Sequence, residues 1–532
     1  MKFDPVRVAI WAFSAWMAWL VARSALHLGP FYYLLYNADF LYIPGFFDDL
    51  LHHGGTVSGW RFSPAPSFFP DMAIYGAASL AGAGFRTTVI LCAALQTALF
   101  LEGVRALGIA AGLRNRGVFA GAVMVLIVLC FCQFFVSRDA FPKTNDVFWL
   151  TALVQLGNHF GAILASVWGL ALLTGALRGE LPGAVVRIAG LGVLILVTGG
   201  SDLLYLIWFC APALFVLLCG LIFARPWRRR IAAIAGMISV TGGLVYALQR
   251  AYNPLLGLYY TGTAAGWGRA TASFGFLFHF LFASGTENAA HAAIIVIPMA
   301  ALMVFAAVRL IRRDPDRAVR TLCVGFMAAS PACCLAAGAA AGLFQNDALP
   351  RYTLPVLYMP ILGIAFVGAE ALDRRDFRLP AWGRPALAGI LPLFCLFLAT
   401  RSFSARLPEP ADLACLPKDR PLAGLAEYWG ARPLTLFSDR RLQVEPLSWL
   451  EAKPFWWIGN RTWFERDFAE PDKAPLYSFI VMRRLDPAMV EARYGAPDHV
   501  QPCGDSEIWL YDRPEELSRR FRSAYATDLV PP

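Results

Sequence analysis

Carboxylate and imidazole side chains, which often carry protons or bind metals, are concentrated between residues 29 and 84. That stretch contains Asp39, Asp48, Asp49, Asp71, His52 and His53 among many aromatic residues. Asp39 directly follows the first long apolar run, and an apolar stripe with helical spacing begins at Phe40. A carboxylate there would lie at the membrane surface beside an interfacial helix, where it could deprotonate a lipid-borne substrate. The alternative is that Asp39 caps that helix.

The adjacent pairs Asp48-Asp49 and His52-His53 contain residue types that bind divalent metals. Neighbouring residues on a helix point in different directions, however, and no HExxH-type spacing occurs here. The sequence therefore favours a solvated helix end over a metal site, and a divalent metal requirement stays open. Asp71 follows a proline, so it is predicted to begin a short helix and to cap it.

Further polar residues lie between apolar runs on the side predicted for Asp39. The set comprises Lys143, Asn145, Asp146, Asn158, His159, Ser201, Asp202, Arg250, Arg269, Glu287, Arg351 and Tyr352. Ionisable side chains near a membrane need partners or water, and they often mark functional sites. A single polar residue of this kind is more often an ordinary solvated loop residue. Their concentration on one side is therefore the stronger indication of a functional site.

Membrane-spanning helices must position these residues, because 58% of the 532 residues are apolar and only 16% are charged. Soluble domains are about 45–50% apolar and about 25% charged, so a water-soluble globular enzyme is excluded. The first 400 residues contain eleven apolar runs long enough to cross a bilayer. The predicted spans are 7–28, 85–108, 117–136, 159–177, 184–201, 203–224, 231–248, 291–310, 321–344, 353–371 and 384–400. No small-residue cleavage site follows the first run, which predicts a retained anchor.

Basic residues in the loops set the predicted orientation. Loops on one side of the eleven spans carry 20 Lys and Arg, whereas the other side carries eight before residue 401. This bias predicts a cytoplasmic N-terminus and places residues 401–532 outside. Arginine outnumbers lysine 41 to 5, which is typical of GC-rich bacterial genomes. The predicted membrane is therefore the bacterial inner membrane, and the outside is the periplasm.

The net charge of +9 belongs to the membrane part of the chain. Residues 401–532 contain 18 Lys and Arg against 20 Asp and Glu, whereas the first 400 residues carry a net charge of +11. No nucleic-acid partner is therefore predicted. The predicted cytoplasmic loops have about a dozen residues or fewer, which leaves no room for a nucleotide-sugar domain. Any sugar donor would come from the outer face, attached to a lipid.

Residues 401–532 are predicted to form a small soluble α/β domain after the transmembrane domain of residues 1–400. Short β-like runs occur at 434–437, 477–482 and 507–511, and residues 486–494 have the pattern of a helix that ends before Gly495. Cys415 and Cys503 are separated from the other nine cysteines, so they either pair in a disulfide or remain free thiols. The aromatic stretch 252–290 predicts either a mobile loop with an interfacial helix or an additional span.

Two motifs resemble the C-type (GT-C) membrane glycosyltransferases. NADFLYIP places Asp39 where that superfamily keeps its catalytic carboxylate after the first span. LPRYTLPVLYMPIL resembles the Arg-Tyr-x-x-Pro start of a late span and contains Arg351 and Tyr352. The family's acidic dyad is absent at Asp39, and the nearest dyad lies nine residues later, which makes Asp49 an alternative base. No WWDYG-like motif is present, which argues against an oligosaccharyltransferase.

The resemblance implies an inverting transfer of sugar from a polyprenyl-phosphate donor to a glycan, lipid or protein acceptor of the cell envelope. Asp39 would deprotonate the acceptor hydroxyl, and an arginine would bind the donor phosphate. The residues implied in phosphate binding are Arg351, Tyr352, Arg269 and Lys143, and those implied in substrate positioning are Asp202, His159, Asp71 and Asp146. No cofactor is implied with certainty, and a divalent metal remains possible.

A lipid-linked glycan flippase or other transporter is the alternative class. Transporters often contain internal repeats and place ionisable groups at the middle of the membrane. This sequence shows no convincing repeat, and its polar residues gather on one side. The sequence therefore favours an enzyme that acts at the membrane surface over a transporter that moves a substrate across the membrane.

Overall fold

The computed structural model describes residues 4–24, 37–81, 84–136, 152–223, 227–252, 267–282, 286–312, 317–344, 349–374, 411–417 and 422–528. These residues form a mostly helical membrane protein with a small sheet near the C-terminus. The first helices are α1 (Pro5–Ser24), α2 (Tyr42–His52), α3 (Ala73–Ser79), α4 (Phe85–Ala110), α5 (Arg116–Val136), α6 (Phe160–Arg178), α7 (Leu181–Ser201) and α8 (Ala211–Phe223). They are followed by α9 (Arg228–Tyr252), α10 (Trp267–Phe282), α11 (Thr286–Arg312), α12 (Ala318–Ala340), α13 (Leu349–Tyr352) and α14 (Leu354–Arg374).

Seven helices among the described residues are long and apolar enough to cross a membrane. They are Phe85–Ala110, Phe160–Arg178, Pro182–Ser201, Leu206–Phe223, Arg228–Ala251, Ala318–Ala340 and Leu354–Arg374. Each coincides with a predicted span. Helices α1, α5 and α11 cover three other predicted spans but are not among the seven, and 384–400 lies outside the described residues. The number eleven therefore stays a prediction.

Helix α6 lies at the centre of the bundle. Most of its side chains are buried on every face, from Phe160 to Leu177. A helix that is apolar all round can be buried in this way, because no face needs water. It packs between α4 and α7, so the residue just before it, His159, has a fixed position.

Several arginines on the side predicted to face the cytoplasm join neighbouring helices of the bundle. Arg320 donates to the carbonyl oxygens of Ala111 and Gly112, just after α4. Arg309 on α11 donates through both terminal nitrogens to Glu370 on α14, at 2.7 Å each. Helix C-termini leave carbonyls without intrahelical donors, and arginine satisfies them while complementing the helix dipole.

The C-terminal sheet region, residues 422–528, contains five paired strands and three helices. The strands are β2 (Leu422–Glu427), β3 (Leu442–Leu447), β5 (Tyr477–Val481), β6 (His499–Cys503) and β7 (Ser506–Leu510), and the helices are α15 (Tyr428–Phe437), α16 (Pro487–Tyr494) and α17 (Pro514–Asp528). The strand order is β3-β2-β5-β7-β6, in which β3, β2 and β5 are parallel and β7 and β6 add to them antiparallel. Two further short strands, β1 (Trp60–Arg61) and β4 (Gly459–Asn460), pair antiparallel and join the first long loop to this region.

The predicted strands at 477–482 and 507–511 and the predicted helix at 486–494 are confirmed to within a residue or two. The predicted strand at 434–437 is wrong, because these residues end helix α15. Parallel strands such as β2 and β3 need a crossover connection, and a buried crossover helix is apolar on most faces. A run of four apolar residues therefore could not distinguish helix from strand.

Candidate functional site

Asp39 lies in the turn that precedes α2, and its carboxylate contacts two distant parts of the chain. Arg351 Nη1 donates to Oδ2 at 3.3 Å, and the Tyr428 hydroxyl donates to Oδ1 at 2.7 Å. The side chain that stabilises this turn is that of Asn37, which accepts from the Phe40 backbone N–H at 2.8 Å. Helix α2 has no side-chain cap, so the capping alternative for Asp39 is wrong.

Arg351 is positioned by the short helix α13, which is separated from α14 by a break at Thr353. Its Nη2 donates to the Tyr352 hydroxyl at 2.8 Å, and its guanidinium lies 4.9 Å from the centre of the Tyr352 ring. The Nε atom is buried and has no partner among the described residues. A guanidinium held this way still has a planar set of donors suited to phosphate oxygens.

A second pair, His159 and Asp202, lies next to Tyr352. His159 Nδ1 and Asp202 Oδ2 are hydrogen-bonded at 2.7 Å, and Asp202 Oδ1 accepts from the Leu204 N–H at 3.0 Å. The His159 and Tyr352 ring centres are 5.6 Å apart. His159 has a φ of 64°, in the left-handed region that few non-glycine residues adopt and that often occurs at functional sites. Tyr352 thus connects the His159–Asp202 pair to Arg351 and Asp39.

Asp71 supports the loop that carries His159. Its carboxyl is almost fully buried and accepts from the Gly157 N–H at 2.9 Å. Burial raises the pKa of Asp71 to about 6, because the ionised form loses its hydration. The predicted cap is wrong, since α3 has no side-chain cap and Asp71 bonds instead to residues before α6.

Asp49 lies at the interface between α2 and the C-terminal sheet region. Its side chain accepts from Trp60 Nε1 at 2.6 Å, Asn460 Nδ2 at 2.7 Å and Trp463 Nε1 at 2.8 Å, and the residue is 1% exposed. The expectation of a solvated helix end is wrong for Asp49, because the C-terminal sheet region covers it. With three donors on its two oxygens, Asp49 is poorly placed to accept a proton from a substrate.

Metal-binding geometry is absent from the part of the chain that the structure describes. No group of three or more His, Cys, Asp or Glu side chains could hold an ion there. Asp48 pairs instead with Arg440, and it lies 3.7 Å from His53 Nε2. Asp48, Asp49 and His53 thus contact the C-terminal sheet region, whereas His52 is exposed.

The structure does not bring every candidate to Asp39. Arg269 is exposed in the first turn of α10, and the described residues show no contact between it and Asp39 or Arg351. Lys143 and Asp146 lie outside the described residues. Cys415 and Cys503 form a disulfide that attaches residues 411–415 to the end of β6.

Sequence reasoning missed Tyr428 and Arg432, which belong to the same helix, α15. Arg432 is buried, and its guanidinium lies 5.7 Å from the Trp60 ring and 5.5 Å from the Trp463 ring. Its Nη2 donates to the Ile458 carbonyl. No motif identifies either residue, because Tyr428 acts through a contact across 389 positions and Arg432 contacts Trp60 of the first long loop.

Glu445 on β3 makes the C-terminal sheet region sensitive to pH. Burial raises the pKa of Glu445 from 4.5 to about 7, and its Oε2 has no partner among the described residues. Between these values the folded carboxyl keeps a proton that the unfolded one releases, so stability falls as the pH rises from 4.5 to 7. We expect Glu445→Gln to be more stable than wild type above pH 7, by up to about 3 kcal/mol, and equally stable below pH 4.5.

The measurement for Glu445→Gln is the unfolding temperature from pH 4 to pH 8. Exposed Glu451 provides the control, because Glu451→Gln should follow the wild-type curve throughout. A stability difference between Glu445→Gln and wild type that stayed constant with pH would contradict the assignment.

A comparison of the chain with protein-family models, curated proteins and solved structures found no match.

Proposed function

We propose that the chain is an integral-membrane glycosyltransferase that moves a sugar from a polyprenyl-phosphate donor to a glycan, lipid or protein acceptor at the periplasmic face of a bacterial inner membrane. The contact between Asp39 and Arg351 carries this proposal. The two residues lie 312 positions apart, and their side chains meet at 3.3 Å. A base and a phosphate-binding cation are the two groups that this reaction needs side by side.

In the proposed reaction, Asp39 takes the proton of an acceptor hydroxyl while the acceptor oxygen attacks the anomeric carbon from the face opposite the phosphate. The bond from that carbon to the phosphate oxygen breaks, and the polyprenyl phosphate leaves with the electron pair. Arg351 stabilises the charge that develops on the phosphate. The configuration at the anomeric carbon is inverted.

The same contact explains how donor binding prepares the base. Arg351 directs Nη1 at Asp39. A phosphate competes for the donors of the guanidinium because it accepts two parallel hydrogen bonds. Arg351 then turns from Asp39 to the phosphate, and Oδ2 of Asp39 becomes available to the acceptor hydroxyl. We expect His159, which is held by Asp202 and adjacent to Tyr352, to position the donor.

The gathering of polar contacts at one end of the bundle supports chemistry at the membrane surface over transport. The decisive assay is sugar transfer by the purified protein from a panel of polyprenyl-phosphate sugars. Wild-type transfer with inversion is the expected result. Movement of the lipid-linked sugar across vesicles with no donor consumed would establish the flippase alternative instead.

Arg351→Ala is expected to weaken donor binding by about 10–100-fold, because a charge-assisted pair with phosphate is lost. Arg351→Lys should recover only part of the binding, since an ammonium cannot form the paired hydrogen bonds of a guanidinium. Binding of undecaprenyl phosphate to the detergent-solubilised protein provides the measurement. The control is Arg250→Ala, which removes an exposed arginine that lies over the Tyr246 ring. Unchanged binding in Arg351→Ala would contradict the role of Arg351.

A further inference from the structure

Tyr428 brings the C-terminal sheet region into contact with the candidate base. It follows β2 directly as the first residue of α15, and it is 3% exposed. Its ring packs edge-on against Phe455, with ring centres 5.3 Å apart, and against Trp429 at 5.0 Å. The hydroxyl that donates to Asp39 is therefore held by a packed aromatic cluster, so its direction is fixed.

Helix α15 is attached to the membrane part of the chain at both ends. At its start Tyr428 bonds to Asp39, and at its end the Phe437 carbonyl accepts from Arg86 of α4 at 3.0 Å. One turn after Tyr428, Arg432 lies against the rings of Trp60 and Trp463. These contacts determine where the Tyr428 hydroxyl lies relative to α2 and α13.

We propose that Tyr428 is a positioning residue for the base, so that the transfer site is complete only when the C-terminal sheet region is docked. This inference rests on the proposed function. Asp39 has two oxygens, one facing Arg351 and one facing Tyr428. When Arg351 turns to the phosphate, the bond from Tyr428 still holds Oδ1, and Oδ2 is left to accept from the acceptor hydroxyl.

Without the Tyr428 hydroxyl, the Asp39 carboxylate is free to rotate about its own axis. The base is then misplaced relative to the acceptor hydroxyl, whereas the donors of Arg351 that bind the phosphate are unchanged. A small misplacement of a reacting group costs about 100-fold in rate. We expect Tyr428→Phe to lower kcat by about 10–100-fold and to change the KM for donor by less than about threefold.

The experiment measures kcat, the KM for donor and the unfolding temperature of the full-length protein in lipid nanodiscs. Tyr511→Phe is the matched control, because it removes a hydroxyl that donates to the Gly495 carbonyl in the same region. The expected result is a lower kcat for Tyr428→Phe alone, with the KM for donor and the unfolding temperature close to wild type. A merely structural role would lower the unfolding temperature instead of separating kcat from KM. Equal kcat in wild type and Tyr428→Phe would overturn the positioning role and leave the proposed function standing. A wild type that transfers no sugar from any donor would overturn both.

Discussion

Asp39→Asn is expected to abolish sugar transfer, with a fall in kcat of about 100- to 10,000-fold, the range that a general base contributes. Asparagine has nearly the shape of aspartate, and its carbonyl oxygen can still accept from the Tyr428 hydroxyl. The fold and the position of α15 are therefore retained. Arg351 loses its competitor for phosphate, so binding of undecaprenyl phosphate should be equal to wild type or tighter.

The measurement pairs transfer kinetics with lipid-phosphate binding on the same preparation of Asp39→Asn. Loss of transfer with intact binding is the signature of a missing base, because both the fold and the phosphate site remain. Asp39→Glu provides a graded comparison, since it keeps the carboxylate but moves it by one methylene. Full transfer activity in Asp39→Asn would show that Asp39 is not the base.

The spans could be predicted from the sequence because the membrane imposes a simple rule on composition. A helix such as α6 must be apolar over about 20 residues, and no tertiary contact is needed to see this. The position of Asp39 after the first apolar run and the resemblance of the Arg351 motif to a known family point to these two residues, but their contact at 3.3 Å depends on how α2 and α13 pack. That packing is a property of the whole bundle, which local periodicity does not describe.

The roles of Asp49 and Tyr428 could not be predicted, for a related reason. Asp49 stands in a polar stretch that reads as a helix end, and its three donors come partly from residues more than 400 positions away. Tyr428 belongs to a region that its composition describes only as soluble α/β. An interface between two parts of one chain has no period in the sequence, so only the three-dimensional contacts identify it.

Asp49→Ala is expected to produce the largest loss of stability. The substitution leaves three N–H donors buried without an acceptor, from Trp60, Asn460 and Trp463. Each unsatisfied donor costs about 1–3 kcal/mol, and breaking a buried charged interaction costs about 3–5 kcal/mol in all. Asp49→Asn should recover little, because its amide group places another N–H donor among the three.

The measurements for Asp49→Ala are the unfolding temperature and the rate at which a protease releases the C-terminal sheet region. Asp486→Ala is the matched control: it removes an exposed carboxylate that accepts from two backbone N–H groups at the start of α16, at a cost of about 1 kcal/mol. Faster release in Asp49→Ala than in Asp486→Ala is the expected order, and the reverse order would remove Asp49 from the interface. Because docking also positions Tyr428, Asp49→Ala should lose transfer and stability together. Asp39→Asn should lose transfer alone. This difference separates the role of Asp49 in docking the C-terminal sheet region from the role of Asp39 as the base.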